Sequence, residues 1–482
     1  MTAGGGIVAL EAVALAGAIR KRDVSCREVM EAYLAQIDLM NPKVNAIVSL
    51  RDRDGLLTQA DERDRELAHS RYRGWMHGFP QAPKDLASTA GIPTTLGSPI
   101  FRDNVPVVDA IAVERMRKAG AILIGKTNTP EFGLGSHTYN TVFGTTLNAY
   151  DQSRSAGGSS GGAAVALALD MLPVADGSDM MGSLRNPAAY NGVFGFRPSI
   201  GRVPSGPAPE LFYQQLACEG PMGRTVTDLA MLLSVQAGHD PRAPLSLDED
   251  PSQFAEPLKR DVKGTRIGWL GDFGGYLPME AGVMEVCGAA LEVLSDIGCA
   301  VEEAVPGFAL ERAWRAWLVL RGFIVTGALG PLYANPRHRA TMKPEAVWEV
   351  ENGLALTAAD VWQASTERSA FYQALRVLFE RYDFLVLPSA QVFPFDAARH
   401  WPEAIGERRM DTYHRWMEVV VPASLAGLPA ISVPAGFGEA GLPMGLQIIG
   451  PPRGDLSVLR IAYAYDEATQ WRGKRRPALL EM

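Results

Sequence analysis

Apolar residues recur along this chain in two rhythms. In the first part the rhythm is helical. Residues 7–19 form an amphipathic stretch interrupted by Glu11, and Ser25 with Glu28 makes a capping box. That box opens a helix reaching about Met40, where Asn41-Pro42 stops it. Further helices are predicted over 56–69, which is highly charged, over 112–119, and over the Ala-rich 161–169. The second rhythm is of short unbroken apolar runs, at 121–124, 172–175, 384–387, 430–434 and 445–449, each too short for a helix and read as a buried strand. Residues 266–270, 280–297 and 300–305 read as strand, helix and strand, after a polar Pro- and Asp-rich connection at 240–261. Strands alternating with helices predict an α/β fold around a mixed sheet.

The length of 482 residues suggests two or more domains, because single cores rarely grow past about 250–300 residues. The apolar run Ala316–Leu320 is broken by Arg321, and no stretch reaches the roughly 18–20 apolar residues of a membrane span. Residues 7–19 imitate a signal peptide, but Glu11 interrupts them and no Lys or Arg precedes them, so a cytoplasmic location is expected. The net charge of −8 argues against a nucleic-acid or anionic-membrane partner. Cys26, Cys218, Cys287 and Cys299 show neither C-x-x-C nor His at ligand spacing, so reduced buried thiols are expected, with no metal site.

Three motifs offer chemistry. Residues 120–127, Gly-Ala-Ile-Leu-Ile-Gly-Lys-Thr, satisfy the Walker A pattern. A phosphate cradle needs a flexible loop between its glycines, and here a β-type apolar run stands there, with Pro130 where a helix should begin. Residues 157–161 fit G-x-S-x-G, but that elbow needs a hydrophobic strand before it, and Asp151 to Ala156 are polar loop. The third feature joins the Ser/Gly run at 155–162 to Gly177-Ser178-Asp179-Met180-Met181-Gly182-Ser183-Leu184-Arg185. Glycines beside Ser159 and Ser183 let other backbone approach both serines closely. The amides of Met180, Met181, Gly182 and Ser183 form a run of donors suited to an oxyanion.

With Lys84-Asp85, Gly125–Phe132, Gly182–Ala188, Gly220–Val226, Gly427–Ala430 and Gly441–Gln447 in the same order, the chain resembles the amidase signature family from about Ser25 to Arg475. The resemblance implies a single α/β/α domain over 1–482, with a large twisted mixed sheet surrounded by helices; this replaces the two domains suggested by length. Residues 1–75 would be an N-terminal helical segment and 80–230 the catalytic segment. It also implies a Ser–cis-Ser–Lys triad. Matched residue by residue, Ser183 is the nucleophile, Ser159 the bridging serine after a cis peptide and Lys84 the base, with Ser160 supporting. Two departures bear on specificity: Met181 stands where the family has glycine, and Pro83 precedes Lys84.

Such chemistry needs a neutral Lys84, its pKa lowered from about 10.4 to roughly 7–8, some 3–5 kcal/mol of differential desolvation. Asp85 is therefore expected to point away from the amine. Asp179 and Arg185 are expected to form an ion pair holding the nucleophile turn, and His77 and His137 to be structural. Phe212, Tyr213, Trp314 and Trp317 are expected to line an apolar substrate pocket. The activity implied is hydrolysis of a small carboxylic amide or related acyl compound through an acyl-enzyme, with no cofactor and no metal. A glutaminase-type subunit of an aminoacyl-tRNA amidotransferase and an inactive binding scaffold are the alternatives, and a homodimer is compatible with the sequence.

Overall fold

The computed structural model describes residues 3–481. Its centre is built from the apolar runs. Strands β6 (Phe384–Pro388) and β8 (Pro443–Ile449) are buried at every residue, and β7 (Ala430–Phe437) at all but its last. Strands without alternation need cover on both faces. They lie inside an eight-stranded sheet with β1 (Ala175–Asp179), β2 (Phe194–Arg197), β3 (Cys218–Gly223), β4 (Arg266–Trp269) and β5 (Ala300–Glu303), in the order β5-β4-β6-β8-β7-β2-β3-β1. The pairs β5–β4 and β4–β6 are parallel and the remaining pairs antiparallel, so the sheet is mixed as expected. Helix Val283–Asp296 connects β4 to β5, giving the predicted strand–helix–strand unit.

Several boundaries moved for physical reasons. The stretch at 7–19 is two helices, Ala3–Ala9 and Ala12–Lys21, split at an extended Glu11. The split is fixed from outside: Asp228 accepts the amides of Ala12 and Val13 (3.0 and 2.9 Å), and Arg224 donates to the carbonyls of Val8 and Leu10 (2.8 and 2.5 Å). The capping box at Ser25 and Glu28 is present, but its helix, Cys26–Val44, runs through Pro42. Asn41 then ties off the end by accepting the amides of Ala46 and Ile47 (2.9 and 2.8 Å). The strand expected at 172–175 begins only at Ala175 and continues to Asp179, which carries it towards the nucleophile turn.

One helix, Leu310–Ala334, is by length and composition long and apolar enough to cross a membrane, contrary to the expectation from sequence. It packs along helices Pro344–Leu354 and Ala358–Arg381, and its Arg321 is buried in an ion pair with Glu349 (2.5 Å). All four cysteines are free and buried.

Candidate active site

Three loops converge at one end of β1. The first carries Lys84, just after Pro80–Gln81. The main chain there is clamped by the Asp85 amide on the Thr127 carbonyl (3.0 Å) and the Thr127 amide on the Pro83 carbonyl (3.1 Å). The Lys84 amide donates to Asp176 of β1 (3.2 Å), whose other oxygen accepts from Gln81 (2.9 Å). The second loop carries Ser159 and Ser160 into the helix Gly161–Ala168, and the Gly158–Ser159 peptide is cis. Its glycines are there for close approach: a Cβ on Gly162 would lie 2.4 Å from the Asn128 nitrogen, and one on Gly177 of β1 would lie 2.5 Å from Ser160 Oγ. The third is the turn from β1 into helix Arg185–Asn191, which presents Ser183. The Ser160 amide donates to the Ser183 carbonyl (3.2 Å), clipping the second and third loops together.

Lys84 is 1% exposed, and its Nζ donates to Ser159 Oγ (2.7 Å), Ser160 Oγ (2.9 Å), Ser178 Oγ (3.1 Å) and the Ser178 carbonyl (3.4 Å). Among the described residues, no carboxylate touches it. Burial pulls the amine down from 10.5 to about 7, against opposing pulls from Asp179, Asp176 and Glu219. Asp85 faces away as expected, accepting from the Thr95 amide and hydroxyl (3.0 and 2.5 Å). Ser183 is 7% exposed and makes no hydrogen bond to Ser159.

Asp179, fully buried, organises the nucleophile turn. It accepts the amides of Gly182 (2.9 Å) and Leu184 (3.2 Å) and pairs with Arg185 (3.0 Å) and Arg197 (3.2 Å). Burial alone would raise this carboxyl, but the two guanidinium groups hold it well below the usual carboxylate range. Arg185 is itself shared with Gln447 (2.7 Å) and Ser424 (2.8 Å). The expected Asp179–Arg185 pair is therefore half of a larger buried network. Gly182 sits at φ 76°, where a Cβ would press within 2.8 Å of Val420, whereas Met181 is not among the positive-φ residues. A methionine at 181 is thus accommodated without the strain that a left-handed position would bring.

The four-amide donor run needs one correction. The Gly182 N–H is taken by Asp179, so it cannot serve an oxyanion, while the amides of Met180, Met181 and Ser183 have no acceptor among the described residues. Those three residues line a cavity of about 230 Å³, with Ser159, Ser178, Leu86, Phe132, Leu134, Ile324, Val325, Leu329, Met417 and Arg321 in the wall.

The aromatic pocket expected from sequence is not there. Phe212 and Tyr213 are 61% and 70% exposed, on a segment that places Gln214 and Ala217, not the rings, at the cavity. Trp314 and Trp317 are 1% and 0% exposed within the core. Ser178, Asp176, Arg197 and Arg321 were missed. Ser178 lay inside the motif already singled out; the other three gave no local signal.

The remaining motifs resolve as structure. Lys126 of the Walker-like run is buried, donating to the Ala87 carbonyl (2.5 Å) and Thr89 Oγ1 (2.6 Å), with burial lowering its pKa to about 8. His77 and His137 are buried against backbone carbonyls of Arg63 (3.0 Å) and Ala397 (3.1 Å). Among the described residues, no three His, Cys, Asp or Glu side chains converge as a metal site.

Comparison with known proteins decides the family. The Amidase family model matches residues 28–459. The chain belongs to the amidase signature family. An acylamidase from Rhodococcus erythropolis is 35% identical, the match covering 97% of each chain. The amidase-type component of a glutamyl-tRNA(Gln) amidotransferase from Thermosynechococcus vestitus is also 35% identical, over 94% of this chain and 96% of that one. The crystal structure of a bacterial aryl acylamidase of the same family superposes with a TM-score of 0.90 at 29% identity, covering 97% of both chains. As a member of the amidase signature family the chain is an enzyme, a hydrolase of carbon–nitrogen bonds in amides.

Proposed function

We propose that the enzyme hydrolyses a small carboxylic amide through an acyl-enzyme on Ser183, with neutral Lys84 as base acting through Ser159. The observation that carries this reading is a buried amine, lowered to about 7, within 2.7 Å of the Ser159 hydroxyl and outside every ion pair among the described residues. At neutral pH a large share of Lys84 is unprotonated, so its lone pair can accept a proton.

In the forward direction Ser183 Oγ attacks the amide carbonyl, and its proton passes to Ser159 as Ser159 gives its own to Lys84. A rotation of the Ser183 side chain towards Ser159 makes the first leg of this transfer; catalytic hydrogen bonds commonly tighten only when substrate is bound. The amides of Met180, Met181 and Ser183 stabilise the tetrahedral oxyanion. The new ammonium on Lys84 is held by Ser160 and both oxygens of Ser178, then returns its proton through Ser159 to the leaving nitrogen. Water repeats the sequence to release the acid.

All three triad residues fall in the segment 80–230. Residues 1–75 serve it as a helical support, and four free thiols fit a reducing cytoplasmic setting. The amidotransferase reading draws on the second relative, but a wall rich in Leu, Ile, Val and Met suits an apolar acyl or amine group better than zwitterionic glutamine. A fluorophosphonate probe tests the core of the proposal. Wild type labels and Ser183→Ala does not; no labelling of either would point to an inactive scaffold, and glutamine hydrolysis only with added partner proteins would point to the amidotransferase.

A further inference from the structure

The wall of the catalytic cavity holds one permanently charged side chain, Arg321, in otherwise apolar surroundings of Ile324, Val325 and Leu329. It is 3% exposed, so its five N–H donors must find partners inside the protein or in whatever fills the cavity. Nε donates to Glu349 Oε1 (2.5 Å) and Nη2 to Tyr413 Oη (2.7 Å), while Tyr413 Oη donates to the same Glu349 oxygen (2.7 Å). That triangle accounts for one edge of the guanidinium. The other nitrogen, Nη1, reaches only the thioether sulfur of Met180 (3.4 Å), a weak acceptor. Met180 is also the first residue of the amide turn that leads to Ser183, and it lines the same cavity.

We propose that Arg321 Nη1 sets the specificity of this pocket by hydrogen-bonding an uncharged acceptor oxygen of the substrate, such as a second carbonyl or an ether, set apart from the amide that is cleaved. The assignment rests on Ser183 being the nucleophile. The acceptor is uncharged because the cation is already matched. Glu349 (2% exposed) balances Arg321, and Lys343, whose Nζ donates to the carbonyl of the lining residue Leu134 (2.8 Å), has Glu345 at 3.8 Å. A carboxylate entering beside Glu349 would leave a net negative charge in a buried, largely apolar space. A neutral oxygen replaces the sulfur contact with a charge-assisted hydrogen bond and leaves the charge balance alone.

The test uses two series of synthetic amides: anilides in which one methylene of the acyl chain is replaced by an ether oxygen or a ketone at successive positions, and N-alkylamides with the same replacement in the amine chain. Each is paired with its all-methylene isostere and with an ω-carboxylate analogue, and kcat/KM is compared within each set. In wild type, one acceptor position exceeds its isostere by about tenfold or more, and the carboxylate falls below both. In Arg321→Met/Glu349→Gln, which removes both charges together, that ratio falls to near one. Arg321→Lys, which keeps a cation for Glu349 but withdraws Nη1, also lowers it and guards against misfolding of the double variant. The assignment is overturned if no position outperforms its isostere, if the carboxylate is preferred, or if the ratio persists in either variant. A protein that turns over none of the series and takes no fluorophosphonate label contradicts the reading of Ser183 instead.

Discussion

Two fully buried charges lie within one turn of each other around Ser183, and the protein treats them oppositely. Asp179 receives two guanidinium groups and two backbone amides, so its carboxyl stays ionised far below the usual range. Lys84 receives hydroxyls and one carbonyl but no carboxylate, so burial pulls its amine down to about 7. The difference is one of partners, not depth. A buried group with opposite charges beside it is pinned in its charged form and can only hold structure; one solvated by neutral dipoles is left near its titration point and can exchange a proton. The turn that aims the nucleophile and the base that activates it are built by these two rules.

The comparison can be broken from either side. The largest effect is expected on the titrating side: Lys84→Ala or Ser183→Ala lowers kcat by about 10⁴-fold or more, measured on any amide the wild type cleaves, because triad members act as a unit. On the pinned side, Asp179→Asn leaves Arg185 and Arg197 buried without a counter-charge. It should lower stability by about 3–5 kcal/mol in denaturant unfolding, or yield no soluble protein. Third comes pH. Only neutral Lys84 is a base, so kcat/KM should climb tenfold per pH unit below about 7 and level off above it. An unperturbed lysine would keep the curve rising past pH 9.

The smallest effect concerns the stability cost of keeping Lys84 neutral. The unfolded amine titrates near 10.5 and the folded one near 7, so burial penalises folding fully below pH 7 and the penalty fades as pH approaches 10.5. Lys84→Met should therefore be more stable than wild type by about 2–4 kcal/mol at pH 7, shrinking towards zero near pH 10. A gap that does not change with pH would mean the lysine is not the group responsible.

How far the sequence could be read follows the same division between local and distant partners. Ser159 and Ser183 were legible because glycines beside them leave a local mark, and the capping box at Ser25 did likewise. Arg197 was not, since its contact with Asp179 depends on β2 and β1 both flanking β3, which no local pattern states. The pocket aromatics failed for two distinct reasons. Glu210 accepts the amides of Phe212, Tyr213 and Gln214 (2.6, 2.8 and 3.0 Å), forming a turn that leaves both rings in solvent. Trp314 and Trp317 lie on the same helix as the cavity wall but in earlier turns. There Trp314 packs with Arg415 (4.7 Å to the ring) and His414 (5.3 Å), while Arg321, Ile324, Val325 and Ala328, at i, i+3, i+4 and i+7, face the cavity. The helix was the right one; the turn along it was wrong, and the Arg321 that interrupts an apolar run in the sequence marks where the helix reaches the cavity.

The most direct test of the base assignment is the titration of Lys84 itself, by ¹⁵N-detected NMR of labelled lysine in the Ser183→Ala protein, with the signal assigned by its loss in Lys84→Met. A midpoint near 7 is the result expected of an amine buried among hydroxyls. A midpoint above about 9 would show an ammonium throughout the neutral range, and Lys84 could not then be the resting base.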